Sequence, residues 1–193
     1  MSTALTQQKT ASAGRRGRWQ LILILLVVIG PMLLATAMYQ WRFWVPDSRS
    51  YHGELLGNGL SRADLGVQGA VETRWQLLVT APQDCAADCQ QLVYLARQLQ
   101  IGLNRDAARA SHALAVAQPL LPAYDQQLQR EYPQLGRYRL DRNAYGKTAG
   151  NVAVPQLWIV DPHGNLVLRY DATVKGKAVL NDLRHLLKLS QIG

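Results

Sequence analysis

The chain opens with one long apolar block and then breaks into short hydrophobic runs separated by polar, turn-rich segments. Trp19 to Met38 holds 20 predominantly apolar residues without a charge, long enough to cross a bilayer as a helix. Gly30-Pro31 falls mid-span, where membrane helices tolerate it. From Val45 to Val71 the pattern is loop-like, with Pro46 and five glycines; Tyr51 to Leu56 reads as an edge strand or an ordered lead-in. Trp75 to Val79 is an apolar run short enough to be a buried strand. Ala81-Pro82-Gln83-Asp84 is turn-prone, and a helical stripe follows through Leu92, Leu95 and Leu99. After a polar connector at Arg105 to Arg109, Ala113 to Val116 predicts the next parallel strand. Pro122 opens a second helix at a permitted first-turn position; it runs through Tyr124, Leu128 and Tyr132 until Pro133 stops it. Gly136 to Ala149 is basic and turn-rich, which predicts a solvated excursion. Val154 to Val160 reads as a strand with Pro155 near its start. Asp161 to Asn165 is a tight turn, and Leu166 to Tyr170 is the return strand of a hairpin. Val179, Leu183, Leu186, Leu187 and Leu189 mark a C-terminal amphipathic helix.

The order is strand, helix, strand, helix, hairpin, helix. That predicts an α/β fold, a thioredoxin-like central sheet flanked by helices and preceded by one N-terminal transmembrane helix. The expected divisions are a basic cytoplasmic tail at 1–18, a transmembrane anchor at 19–40, a linker and lead-in at 41–70, and the thioredoxin-like domain at 71–193. At 193 residues the length suits one globular domain plus an appendage.

Charge refines the membrane reading. The formal net charge is +8, but Lys9, Arg15, Arg16 and Arg18 stand in a tail without acids. All 13 acidic residues lie beyond residue 44, opposite 16 Lys and Arg. The folded part is therefore only weakly basic, which is no nucleic-acid footprint. Arginines before the span predict an N-terminus inside and everything after Arg42 outside. Trp19 at one end and Trp41, Phe43 and Trp44 at the other supply an aromatic belt. Ala35-Thr36-Ala37 resembles a signal-peptidase site, but the length of the span and its aromatic flank favour an uncleaved anchor. In a bacterium this places the chain in the inner (cytoplasmic) membrane as a single-pass protein with a periplasmic C-terminal domain.

The chemistry concentrates at the two cysteines, Cys85 and Cys89, where the first strand gives way to the first helix of the soluble part. Spaced i and i+4, they are expected on one face of the first helical turn, where free backbone N–H groups and the helix dipole favour a thiolate. Asp84 and Asp88 oppose that effect by raising thiol pKa values. Two structural readings compete. Core packing is disfavoured because the leucines already supply the apolar stripe. A purely structural disulfide would close so short a loop that it constrains little unfolded-state entropy. Redox or metal chemistry is the stronger reading. In an oxidising compartment such a pair needs a reductant before it can act. Pro155 falls where thioredoxin-like folds place a cis-proline beside the dithiol. Among the histidines, His163 on the hairpin turn is expected to be exposed; His52 reads as a surface residue and His112 as a strand-edge one.

With these residues in view, the soluble part resembles the Sco/SenC group of thioredoxin-fold proteins, in particular membrane-anchored Sco-like proteins associated with bacterial cytochrome c oxidase gene clusters. Cys85-Ala86-Ala87-Asp88-Cys89 matches their C-x-x-x-C pair, and Asp161-Pro162-His163-Gly164 matches their hairpin turn. The resemblance implies work in cytochrome c oxidase assembly, by thiol–disulfide exchange or copper handling. Its partners would be oxidase subunits or assembly factors, with the lipid bilayer engaged through the N-terminal helix. One job it implies is keeping the cysteines of the oxidase copper centre reduced. It also implies Cys85 as the more exposed, attacking thiol and Cys89 as the resolving one, or both as copper ligands. The family's copper-binding histidine corresponds to a position near Ala153, and no histidine lies between Arg142 and Pro162. His52 or His112 would have to substitute in a copper carrier. A third reading is a non-enzymatic, membrane-anchored assembly module with structural cysteines.

Overall fold

The computed structural model describes residues 13–41, 51–57, 59–150 and 153–190. The chain divides into two units, Met1–Ser48 and Arg49–Gly193. The first is carried by helix α1, Ala13–Trp41. Its segment Gly17–Ala37 has a mean hydropathy of 2.4, so it is long and apolar enough to cross a membrane. Pro31 lies inside the helix, and the Thr36 hydroxyl donates back to the Met32 carbonyl at 2.8 Å. Most of the tail at 1–18, and Phe43 and Trp44 of the expected belt, lie outside the described residues.

The second unit is one seven-stranded sheet with helices on both faces. Its elements are β1 (Glu54–Leu55), β2 (Val67–Gln68), β3 (Trp75–Ala81), α2 (Ala87–Gly102), a 3-10 turn at Asn104–Arg109, β4 (Ala110–Val116), α3 (Pro122–Glu131), β5 (Gly136–Leu140), α4 (Arg142–Ala149), β6 (Gln156–Val160), β7 (Leu166–Tyr170) and α5 (Gly176–Leu189). The strand order is β1-β7-β6-β3-β4-β5-β2. β3, β4 and β5 run parallel, while β6 pairs antiparallel with β3 and with β7.

Period-two alternation divides the core. Leu77, Val79, Leu157 and Ile159 pack beneath α2 and α5, with Leu128 of α3 in the same cluster. Leu78, Trp158 and Val160 point to the other face, where Tyr145 and Ala149 of α4 and Leu65 cover them. On that face a buried hydrogen-bond chain runs Trp158 Nε1–H to Thr80 Oγ1 (2.9 Å), Thr80 hydroxyl to Tyr145 hydroxyl (3.2 Å), and Tyr145 hydroxyl to Gln156 Oε1 (3.0 Å). Each donor in the chain is satisfied, as burial demands.

The expected excursion at Gly136 to Ala149 is instead β5 and α4. Asp141 caps α4 by accepting from the Asn143 and Ala144 amides, and Gly150 ends it at φ 78°. These are ordinary start and stop signals. The apolar stripe between them is only Tyr145 and Ala149, too thin to register as a helical period. β2 also went unread, because two residues carry no alternation. It is fixed by Gly66 at φ 85°, where an added Cβ would sit 2.7 Å from the Asp141 carbonyl. The lead-in forms edge strand β1, paired with β7, and His163 is exposed on its turn as expected.

Thr80→Val removes the middle of the buried hydrogen-bond chain while keeping its shape. The expected cost is about 1–3 kcal/mol, because Trp158 Nε1–H is left unsatisfied. It should appear as a lower urea midpoint with an unchanged slope.

Candidate functional site

β3 ends at Ala81, and the chain turns through Pro82, Gln83 and Asp84 before reaching Cys85. Cys85 and Cys89 form a disulfide with a Cα–Cα distance of 5.0 Å. The two sulfurs do not share a helical turn: α2 begins at Ala87, Ala86 is its N-cap, and Cys85 lies before it. Cys85 is outside because the Ala86 backbone is still extended, at φ −79° and ψ −166°. The bond therefore closes across the helix start.

The two ends differ in environment. Cys89 is fully buried in the core beneath α2, whereas Cys85 is only partly buried at the edge of that core. The Cys85 carbonyl accepts a hydrogen bond from Gln90 Nε2 at 3.2 Å, which holds the exposed end against the helix. Ala86 has no side chain to cap the first N–H groups, so the helix terminus presents its partial positive charge toward Cys85. Asp84 and Asp88 are exposed beside it, where solvent screens their opposing charge.

Pro155 immediately precedes β6, whose Gln156 pairs with Thr80; it therefore borders the loop that leads to the cysteines. No cis peptide occurs among the described residues, and Val154–Pro155 is trans. Val154, just before it, is exposed. Ala153, near the position of the Sco histidine, is exposed on the same margin, and its methyl group can ligate nothing.

The histidines lie elsewhere. His52 Nδ1 meets Asp182 Oδ1 at 2.8 Å, and the buried Asp182 also accepts from the His52 and Gly53 amides and the Tyr170 hydroxyl. Burial, with that bond to Asp182, pushes the Tyr170 hydroxyl well above its usual pKa. Asp182 thus ties the lead-in segment to α5. His112 is not at the strand's edge: it lies within β4, pairs with Leu77 and is only 4% exposed. Its Nδ1 is hydrogen-bonded to Gln100 Oε1. Among the described residues no group of three or more His, Cys, Asp or Glu is placed to hold a metal ion. No sequence signal announced Asp182 or Gln100, because their partners come from distant or out-of-phase positions.

A disulfide that joins a partly buried to a fully buried cysteine, at a helix start following a central strand of a mixed sheet, is the arrangement of a thioredoxin-like protein with a candidate redox pair. The chain belongs to the transmembrane-like, thioredoxin-like, C-terminal domain family, whose model matches residues 75–190; the transmembrane-like N-terminal domain matches residues 12–42. No curated protein matches the sequence. Similar solved structures include copper-bound ScoI of Arabidopsis thaliana, at 8% identity and a TM-score of 0.49 over 62% of this chain and 88% of that one. Apo Sco1 of Thermus thermophilus matches at 18% identity and 0.48 over 70% and 96%. The thioredoxin domain of a thiol-disulfide oxidoreductase from Bacteroides vulgatus matches at 14% and 0.43 over 69% and 90%.

Burial, and after it the Arg97 charge, holds the His112 imidazole down at about 4. The unfolded chain, with an ordinary histidine pKa near 6.5, binds the proton first. Stability from this group is full above about pH 6.5 and is lost as pH falls toward 4, by up to about 3 kcal/mol. Glu72, held down at about 2 chiefly by the Arg74 hydrogen bond, acts in a lower window. Urea unfolding across pH 4–7 should therefore show a slope that flattens in His112→Phe.

Proposed function

We propose that this chain is a membrane-tethered, periplasmic thiol–disulfide exchange protein acting in cytochrome c oxidase assembly. The observation that carries the reading is the asymmetry of the Cys85–Cys89 bond: one sulfur reachable at an uncapped helix start, the other sealed in the core. In the reduced protein the Cys85 thiolate attacks a client disulfide, and one client sulfur leaves as thiolate. The Cys89 thiolate then attacks Cys85 Sγ and releases the second client sulfur. The client gains two electrons and becomes a dithiol; this protein becomes the disulfide. A membrane or periplasmic dithiol must reduce it again. Pro155 borders the reacting pair and would shape the approach of the client backbone.

Supporting the client assignment is the resemblance of Cys85-x-x-x-Cys89 and the Asp161–Gly164 turn to Sco proteins. It points to the cysteines of an oxidase copper centre as the disulfide to be reduced. The tail at 1–18 would lie in the cytoplasm, 19–40 would span the inner membrane, 41–70 would be the lead-in, and 71–193 would face the periplasm. Copper, were it the cargo, would find Cys85 and Cys89 as soft donors, with Ala153 contributing none. Burial of Cys89 favours one rival, an assembly module in which the bridge is structural and membrane position does the work.

Cys89→Ser should trap a mixed disulfide through Cys85, visible by mass spectrometry under non-reducing conditions, whereas Cys85→Ser should trap none. Equal trapping by both variants would remove the assigned roles. In a strain lacking the protein, Cys85→Ser should fail to restore oxidase activity although the variant folds; full restoration would favour the structural module. Titration with Cu(I) against a competing chelator separates the cargo reading. Tight one-to-one binding lost in Cys85→Ser would require copper carriage instead.

A further inference from the structure

The first helix of the soluble unit starts two residues later than its local sequence favours. Asp is among the residues that best begin a helix and Ala among the poorest. Yet Ala86, not Asp84, holds the capping position of α2, and it supplies no side-chain cap. The first helical hydrogen bond runs from the Gln90 amide to the Ala86 carbonyl at 3.0 Å. Ahead of it the backbone leaves the helical path. The Asp84 carbonyl accepts from the Ala86 amide at 2.9 Å, two residues along, where a helix would use the fourth. The Cys85 carbonyl would accept from the Cys89 amide in a continued helix; it accepts from the Gln90 side chain at 3.2 Å.

The disulfide accounts for the late start. Residues four apart on a helix hold their Cβ atoms about 5–6 Å from each other, whereas a disulfide needs about 3.5–4.5 Å. A helix running unbroken from Asp84 is therefore a poor frame for the bond. Cys89 is sealed in the core, so Cys85 is the end that gives way, through the extended backbone of Ala86. The cysteine Cα atoms close to 5.0 Å as a result. Reduction removes that constraint and leaves the sequence preference for a start at Asp84. Asp84 is exposed in the oxidised chain, with no packing to hold it back.

We propose that Asp84 is a positioning residue of the cysteine pair. In the dithiol form α2 lengthens backward to Asp84, whose carboxylate accepts from the Ala86 and Ala87 amides and sets Cys85 at the first helical position. Because this cap forms only in the dithiol, Asp84 favours the reduced protein. The bearing of this step on client exchange rests on the function proposed above; the change of helix start rests on the disulfide alone.

The test uses the full chain in detergent. After reduction with dithiothreitol, the Cα carbon resonances of Cys85 and Ala86 should move into the helical range. In buffers of reduced and oxidised dithiothreitol, one dithiothreitol passes two electrons and two protons to the Cys85–Cys89 bond and closes to its own disulfide. Asp84→Ala should shift that equilibrium toward the protein disulfide by about fivefold, the worth of a helix cap. Asp84→Asn, which caps about as well as Asp, should stay within about twofold of the unaltered chain. Equal shifts in the two variants would assign the effect to charge and overturn the cap. An unchanged equilibrium in Asp84→Ala, or an Ala86 that stays extended on reduction, would overturn it too. Failure of Cys89→Ser to trap a client would remove the exchange function and leave each of these outcomes as decisive as before.

Discussion

Strand β3 is buried along all seven of its residues, from Trp75 to Ala81, and the other layers are arranged around that constraint. A strand with both faces and both edges removed from water needs a neighbour on each side and a helix layer above and below. β4 and β6 supply the edges. α2 and α5 cover one face, and α4 with the Leu65 segment covers the other. The cysteines follow directly from this arrangement. A central parallel strand must exit at its C-terminal end, and α2 must return over the sheet, so the loop between them lies at the sheet margin.

Burial also explains why the two sulfurs are unequal. α2 packs its Cys89, Leu92, Val93, Ala96 and Leu99 face onto the sheet, so Cys89 enters the core with the rest of the stripe. Cys85 stands ahead of the helix on an extended backbone and keeps one side open. The last turns of the same helix carry Gln100, which holds the buried His112 ring and the start of β4. Polar residues inside this framework act as fasteners. Asp182 accepts four hydrogen bonds that tie the lead-in segment and β7 to α5. Buried Arg62 reaches Gln76 and the Glu72 carbonyl.

Comparing chain and fold residue by residue separates what patterning reveals from what it hides. Short apolar runs such as Trp75–Val79, and the Pro155-led strand with its Asp161 turn, were legible because burial on both faces leaves each strand a single polar interruption, Gln76 and Gln156. α4 and β5 were not: their buried positions are few, and arginines at 137, 139 and 142 mask them. The C-x-x-x-C spacing was legible as a pair, and the two cysteines are disulfide-bonded, yet helical spacing misplaced Cys85, since spacing cannot tell where a helix begins without a side-chain cap. His112 read as a strand-edge residue because nothing near it in sequence foretells that β4 begins two residues earlier and that α2 covers it.

The sequence by itself determined the apolar N-terminal segment, the alternation of strands and helices, and the placement of both cysteines at one strand–helix junction. Each of these is a local property, written in runs, periods and turn residues. Tertiary structure alone decided which cysteine is partly buried and which is sealed. It also buried Nε2 of His112 without a donor among the described residues and brought Asp182 to His52 across 130 positions of chain. Those outcomes depend on which faces of separate elements meet, and pairing of that kind is fixed only when the sheet closes and the helices settle on it.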